Sequence, residues 1–196
     1  MKIIPLILVL AVSAFYTACS NNSNSKESSA KNTDTSSQGA NTNNKAPTSD
    51  GTITDVVRGY LKLKDALTND NGTDAASAAK EMGEALTKVN ESALNADQKK
   101  MFGDLKSDIK EHAEHIGANG SNIEHQREHF DMLSQDMIAL VKTTGTSNTL
   151  YKDFCPMYND KKGASWLSET KEIKNPYYGK EMPKCGEVKE EIKPNR

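Results

Sequence analysis

Hydrophobic residues recur at steps of three and four along residues 51–145, a spacing that places them on one face of an α-helix. The pattern predicts four amphipathic helices, beginning near Thr52, Thr73, Asn95 and Ser121. Short polar connections separate these helices, as is typical of antiparallel bundles. We therefore expect an all-α fold in which residues 51–145 form an antiparallel four-helix up-down bundle.

Capping and turn residues mark the ends of the predicted helices. Asn95 is followed three residues later by Gln98, a pattern in which two side chains cap a helix N-terminus reciprocally. Ser121 and Glu124 repeat the same spacing before the fourth helix. The polar cluster at residues 69–72 predicts the turn after the first helix.

The chain after residue 145 has a different character. Residues 146–196 lack helical periodicity and are rich in proline, glycine, asparagine, aromatic residues and sulfur. They contain the only tryptophan and four of the six tyrosines. We expect a loop-rich segment that packs on the bundle and is held by one bond or one ion shared among its sulfur atoms. Together with the bundle it would form a single helical domain over residues 51–196.

The first 50 residues predict export and a membrane anchor. Residues 1–18 resemble a signal peptide, with one lysine and an apolar run from Ile3 to Phe15 that is too short to span a bilayer in the usual way. Small residues directly before Cys19 resemble a bacterial lipobox, which makes Cys19 a candidate for lipidation. The alternative is a plain secretory signal that is cleaved nearby. The protein is therefore expected in the cell envelope, lipid-anchored on the periplasmic or outer-membrane side.

A polar segment follows the candidate lipidation site. Most of the residues at positions 20–50 are serine, asparagine or threonine, and none is aromatic or an aliphatic residue larger than alanine. Such a segment cannot bury enough apolar surface to offset its conformational entropy. Residues 19–50 are thus predicted to be a disordered tether that hangs the folded domain from the membrane.

Charge and motifs exclude several functional classes. The chain has 25 basic and 27 acidic residues, and no basic block or basic-aromatic stripe of the kind that binds nucleic acid. It also contains no glycine-rich phosphate loop, nucleophile elbow, His-Glu-x-x-His motif or Cys-x-x-Cys pair. We therefore expect neither an enzyme nor a nucleic-acid-binding protein.

Two cysteines and two methionines form the most distinctive chemical pattern. Cys155 and Met157 are two residues apart, and Met182 and Cys185 are three apart. If the two pairs converge, two thiolates and two thioethers surround one point, and such soft donors favour Cu(I). The alternative is a Cys155–Cys185 disulfide, which is usual for an exported protein and would stabilise the fold by roughly 3–4 kcal/mol.

The four histidines form a second candidate cluster. His112 and His115 lie near the end of the third predicted helix, and His125 and His129 lie near the start of the fourth. The turn between the helices brings these ends together, and steps of three and four place each pair on roughly one side of its helix. Either His112 and His115 favour a helix C-terminus electrostatically while the other two are solvated, or the cluster contributes to a metal site. His129 is then the best candidate ligand.

Several strings of the sequence resemble the DUF3347 family, over residues 51–190. These strings are YLKLKDAL at 60–67, QREHF at 126–130, LS at 133–134, Y at 151, CPM at 155–157, ASWLS at 164–168, EI at 172–173, NPYYG at 175–179, M at 182 and CG at 185–186.

The resemblance implies a cellular context rather than an activity. Members of this family are small exported lipoproteins, and similar domains end the periplasmic adaptor subunits of copper and silver efflux pumps. It implies copper handling, with Cys155, Met157, Met182 and Cys185 as the motif positions and His129 as an accessory ligand. The resulting hypothesis is an envelope lipoprotein that buffers Cu(I) or delivers it to an efflux adaptor. The alternative is a structural or interaction module with a Cys155–Cys185 disulfide.

Overall fold

A computed structural model describes residues 52–194 of the chain. The predicted signal peptide at 1–18, the lipidation site Cys19 and the tether at 19–50 lie outside the described residues. Among the described residues, no helix combines the length and apolar character needed to cross a membrane.

Four long helices occupy the first two thirds of the described chain, as predicted from the periodicity. A 3₁₀ turn precedes the third of them, and a single turn, α5, in which residues 159–161 have positive φ, lies further along. The helical elements are α1 Ile53–Thr68, α2 Gly72–Thr87, the 3₁₀ turn Glu91–Ala93, α3 Ala96–Ala118, α4 Ile123–Thr144 and α5 Tyr158–Lys161. Consecutive long helices pack against one another, α1 on α2, α2 on α3 and α3 on α4.

The helix caps follow the sequence closely, with one difference. At the start of α3 the Asn95 carboxamide accepts from the Gln98 backbone N–H, and the Gln98 side chain accepts from the Asn95 N–H, both at 3.0 Å. At the start of α4 the cap is Asn122 rather than Ser121, and its side chain accepts from the His125 N–H at 3.2 Å. The side-chain amide of Asn122 thus caps α4, a role that was expected of the Ser121 hydroxyl.

The expectation of an all-α fold is wrong, because the C-terminal segment contains an antiparallel sheet. Its strands are β1 Leu150–Cys155, β2 Ala164–Ser168 and β3 Glu187–Ile192, in the order β2-β1-β3. The protein is therefore mostly helical with a small three-stranded sheet at its C-terminal end. Regular strand pairing, rather than loops alone, organises the segment that contains the cysteines.

The sheet packs on the helices through β2, which contacts α4. A buried tyrosine joins the layers, since the Tyr60 hydroxyl of α1 lies 2.7 Å from Ser134 Oγ of α4 and accepts from the Leu167 N–H of β2 at 3.1 Å. The Tyr60 ring also stacks on Phe130, with centroids 5.2 Å apart. Trp166, at the centre of β2, is fully buried. The C-terminal segment thus shares one core with the helices.

Candidate metal centre

Strand pairing brings Cys155 and Cys185 together although they are far apart in sequence. Cys155 is the last residue of β1, and Cys185 comes two residues before β3. The antiparallel register pairs Phe154 with Glu187, so the end of β1 meets the start of β3. The two Sγ atoms are 2.6 Å apart, and both cysteines are free. We call Cys155 and Cys185 the sulfur pair.

Residues 175–178 support the sulfur pair from one side. The buried Asn175 side chain donates to the Cys185 carbonyl at 2.7 Å and accepts from the backbone N–H groups of Tyr177 and Tyr178. The Tyr178 hydroxyl in turn donates to the Met157 carbonyl at 3.0 Å. These contacts fix the backbone on both sides of the pair.

Burial changes the acidity of Cys185. Desolvation, together with the hydrogen bond and the charge of Cys155, raises the pKa of Cys185 to about 11, although the backbone of Met157 acts in the opposite direction. At neutral pH Cys185 therefore remains a thiol unless an ion replaces its proton.

The two methionines lie in turns near the sulfur pair in sequence, Met157 exposed and Met182 half-buried. The Met157 side chain is 43% exposed just before α5, and the Met182 carbonyl accepts from the Cys185 N–H at 3.1 Å. Both methionines are thus close to the sulfur pair in sequence. Their role as thioether ligands stays a prediction.

The four histidines cluster where α3 meets α4. His129 Nδ1 lies 3.2 Å from His112 Nδ1, and the His129 ring stacks on the His115 ring with centroids 4.3 Å apart. His125 approaches the same ring edge-on, at 4.6 Å. Potential ligand atoms of His115, His125 and His129 all lie within 4.8 Å of one another. We call these four residues the histidine cluster.

The contacts of the His129 ring described above are all with other histidines of this cluster. Its burial, followed by the charges of His115, His125 and His112, lowers the pKa of His129 below its ordinary value. From the sequence, His129 was predicted to be an accessory ligand of the sulfur donors. That role stays a prediction. The helix spacing did predict that the four histidines meet at one end of the helices.

The sequence reasoning missed a buried carboxyl group two residues before Cys155. Asp153 is fully buried in β1, and neither of its carboxyl oxygens has a hydrogen-bond partner among the described residues. Desolvation raises the pKa of Asp153 to about 7, while the charge of Lys64 acts in the opposite direction. No sequence signal singles it out, because an aspartate is ordinarily exposed.

A second missed residue, Arg127, ties the C-terminal segment to the helices. Its guanidinium donates to the Pro176 carbonyl at 2.8 Å, the Leu67 carbonyl at 3.1 Å and the Asp70 carboxylate at 2.6 Å. Asp70 also accepts from the Lys180 backbone N–H at 3.1 Å. Arg127 lies on α4 between His125 and His129 in sequence, so one helix serves both candidate sites.

The fold defines a mostly helical domain that carries two clusters of potential metal ligands. The family model described as a protein of unknown function (DUF3347) matches residues 56–149. This match supports the resemblance to the family that the sequence strings indicated. The match includes all four histidines and ends before the sulfur pair. The comparisons with curated proteins and with solved structures found no match.

Proposed function

We propose that this protein is a cell-envelope lipoprotein without enzymatic activity that binds Cu(I) through Cys155 and Cys185. In this proposal Met157 and Met182 supply thioether donors, and His129 is an additional ligand. The bound ion is buffered, or it is delivered to the periplasmic adaptor of a heavy-metal efflux pump.

The observation that carries the proposal is the approach of the two sulfur atoms to 2.6 Å. Two sulfur ligands of one ion, at bond lengths near 2.3 Å, lie about 3.8–4.6 Å apart from tetrahedral to linear geometry. Rotation of one or both side chains by a modest angle would open that gap. Soft thiolates favour Cu(I) over the ions that prefer oxygen ligands.

The acidity of Cys185 sets the pH dependence of this binding. Because its pKa is raised to about 11, Cu(I) must displace a proton from the thiol at neutral pH. Binding therefore releases protons, and the affinity for Cu(I) falls as the pH falls. Envelope oxidants that convert the pair to a disulfide would remove both thiolates and release the ion.

The same short distance favours a second candidate function. A disulfide bond measures about 2.05 Å, so the sulfur pair is also placed for oxidation. The protein would then be a structural or interaction module in which the bond fixes the C-terminal segment to the sheet.

The remaining parts of the proposal concern the scaffold and the anchor. We propose that α1 to α4 form an antiparallel up-down bundle that supports the sheet. Lipidated Cys19 and the tether at residues 19–50 would place this domain near the membrane, within reach of an adaptor protein. The support is the amino-acid pattern of residues 1–50 and the family context.

The test is a titration of the reduced full chain with Cu(I) under anaerobic conditions, in competition with a chromogenic chelator. We expect one bound ion, and a loss of about 100-fold or more in affinity for Cys155→Ser, since a ligand is removed. Absence of binding, or binding unchanged by the substitution, would contradict the proposal. Free-thiol counting on protein from an oxidising compartment adds a second readout. A fully oxidised pair with no metal response would support the structural module instead.

A matched pair of methionine variants tests the thioether ligands. Met157 and Met132 are similarly exposed, at 43% and 42%, and Met132 lies on α4. Met157→Leu should weaken Cu(I) binding, whereas Met132→Leu should not. Equal effects would remove Met157 from the ligand set.

A further inference from the structure

The histidine cluster contains every histidine of the chain. The sequence has four, and all lie within the last turns of α3 and the first turns of α4. Helical steps of three and four place two imidazoles on each helix, and residues 119–122 turn the chain so that the two pairs meet. All four imidazoles of the chain are thus concentrated at one point of the structure.

Three of the imidazoles are spaced as ligands of one ion. The ligand atoms of His115, His125 and His129 lie within 4.8 Å of one another. Nitrogen ligands around a tetrahedral ion, at bond lengths of about 2.0–2.1 Å, are about 3.3 Å apart. To share an ion, the His115 ring must turn out of its stack on His129, because each nitrogen lone pair lies in the plane of its ring. His115 is exposed and His125 and His129 are half-buried, so an ion can enter from solvent.

The neighbours of two of these rings engage the nitrogen that a metal would leave free. His125 Nδ1 lies 3.2 Å from the Glu128 carboxylate, and His129 Nδ1 lies 3.2 Å from His112 Nδ1. Both contacts occupy Nδ1 and leave Nε2 available for coordination. Metal-binding histidines ordinarily donate their second ring N–H to a carboxylate or another acceptor, which fixes the ring orientation.

We propose that His115, His125 and His129 bind a divalent first-row transition ion such as Zn²⁺, with His112 and Glu128 orienting the ligand rings. Imidazole nitrogen suits Zn²⁺ and Cu²⁺ and does not select Cu(I) in the way that sulfur does. Three protein ligands leave one position for water or an exchangeable ligand. The site goes beyond the proposed function, because it uses none of the sulfur atoms and shares only His129, which binds one ion at a time, with the proposed Cu(I) ligands.

Hydrogen bonding among the histidines alone explains less of the geometry. One ring must donate and the other accept in the contact between His112 and His129, and that satisfies this pair without an ion. It does not account for the convergence of His115 and His125 on the same ring, where the described contacts are ring packing at 4.3 and 4.6 Å. A shared ion accounts for the approach of the three potential ligand atoms to one another.

The test is calorimetric titration of the full chain with Zn²⁺, on protein that carries no polyhistidine tag. All three cysteines are first changed to serine (Cys19→Ser, Cys155→Ser and Cys185→Ser), so that thiolates contribute nothing. We expect one Zn²⁺ per chain with a dissociation constant below about 10 µM. Co²⁺ serves as a spectroscopic probe, since four-coordinate Co²⁺ gives intense visible bands that six-coordinate Co²⁺ lacks.

Three variants in that background assign the residues. His129→Ala removes the ring that touches all three others, and it should lower the affinity for Zn²⁺ about 100-fold or more. Glu128→Gln should lower it about tenfold, because only the orienting carboxylate changes. Glu114→Gln, an exposed residue paired with Lys110 on α3, is the matched control and should change nothing.

Two results would overturn the proposal. One is the absence of saturable one-to-one Zn²⁺ binding while circular dichroism shows the chain to be folded. The other is binding whose affinity is the same in His129→Ala as in the parent protein. Because the sulfur pair is absent from every protein in this series, neither result depends on whether Cu(I) binds to the cysteines.

Discussion

The sulfur pair and the histidine cluster are assembled in opposite ways. The histidines lie on two helices that are adjacent in sequence, with only residues 119–122 between them. The cysteines are distant in sequence and meet because β1 pairs with β3. One site therefore depends on local helix geometry, whereas the other depends on the complete sheet. The comparison shows that two ligand clusters in one domain can differ in how much of the fold they require.

This difference predicts different responses to damage. Loss of sheet packing should separate the cysteines but leave the histidines in place. Damage at the connection between α3 and α4 should instead displace the histidines and leave the cysteines in place. α4 contacts both regions, since it carries His125 and His129 on the side toward α3 and Arg127 on the side toward the C-terminal segment.

The largest effect is expected from Trp166→Ala. Trp166 is fully buried in β2 and lies beside Gly186, where an added Cβ would be 2.9 Å from its ring. Removing a buried aromatic side chain costs about 3–5 kcal/mol of the free energy of unfolding. The cavity lies next to Cys185, so the cysteines should become reactive toward an alkylating reagent. Urea denaturation and thiol labelling measure the two effects.

The control for this change is Val188→Ala, which truncates a partly exposed residue on β3. It should alter the free energy of unfolding by less than about 0.5 kcal/mol. Trp166→Phe retains part of the packing and serves if the alanine variant does not fold. A loss below about 1 kcal/mol in Trp166→Ala would mean that the sheet is not held as described.

The free energy of unfolding should depend on pH through Asp153. Its pKa is about 7 in the folded protein, against 3.8 for an exposed carboxyl group, so folding favours the protonated acid. Its contribution to stability is fully present below about pH 4 and is lost as the pH rises through about 7. A pKa difference of this size corresponds to up to about 4 kcal/mol. Denaturation of the parent protein and Asp153→Asn across this range measures the difference between them.

Asp153→Asn keeps the size of the side chain and removes its ionisation, so its stability should vary less between about pH 4 and pH 8. Asp104→Asn, an exposed carboxylate paired with Lys100 on α3, is the control and should follow the parent protein. Parallel pH profiles for Asp153→Asn and the parent would contradict the assignment of this effect to Asp153.

Local signals in the sequence predicted the helices and their ends. The apolar period and the Asn95–Gln98 cap depend on residues three or four apart, and the structure confirms both. The meeting of the histidines followed from the same local geometry. Features that depend on residues within one or two helical turns of each other can therefore be predicted from the sequence.

The sheet could not be predicted in this way. β3 is an edge strand with the sequence EVKEEI, so its mostly charged, solvent-facing residues give little strand signal. The register that pairs Phe154 with Glu187 joins two distant parts of the chain, and it decides whether Cys155 reaches Cys185. The burial of Asp153 depends on that same long-range pairing. Long-range strand contacts, rather than residue types, set the sulfur region.

Arg127→Ala tests the link between the two regions and should have a smaller effect. Its three acceptors, the carbonyls of Leu67 and Pro176 and the Asp70 carboxylate, would lose a charged donor. We expect a loss of about 2 kcal/mol in the free energy of unfolding, since the bonds are partly buried and charge-assisted. Thiol labelling should become faster, while Zn²⁺ affinity stays the same.

Arg58→Ala is the matched control for this link. Arg58 also pairs with an aspartate, Asp55, but its side chain is 60% exposed and the partner is three residues away on α1. Exposed pairs of this kind contribute little, so the loss should be below about 0.5 kcal/mol. Arg127→Lys should behave nearly as Arg127→Ala, because a lysine cannot donate to three acceptors in the planar arrangement. Equal losses for Arg58→Ala and Arg127→Ala would show that Arg127 does not hold the segment.

The smallest effect is expected from the cap of α4. Asn122→Ala removes the acceptor of the His125 N–H and should lower the free energy of unfolding by about 1 kcal/mol. Asn95→Ala removes the equivalent cap of α3, at the end of that helix far from the histidines, and should cost a similar amount. Only Asn122→Ala should also weaken Zn²⁺ binding, by up to about fivefold, because fraying of the first turn displaces His125. Denaturation and calorimetry on both variants check this. Equal Zn²⁺ affinities at equal losses of stability would show that the histidine cluster does not depend on the helix end that carries it.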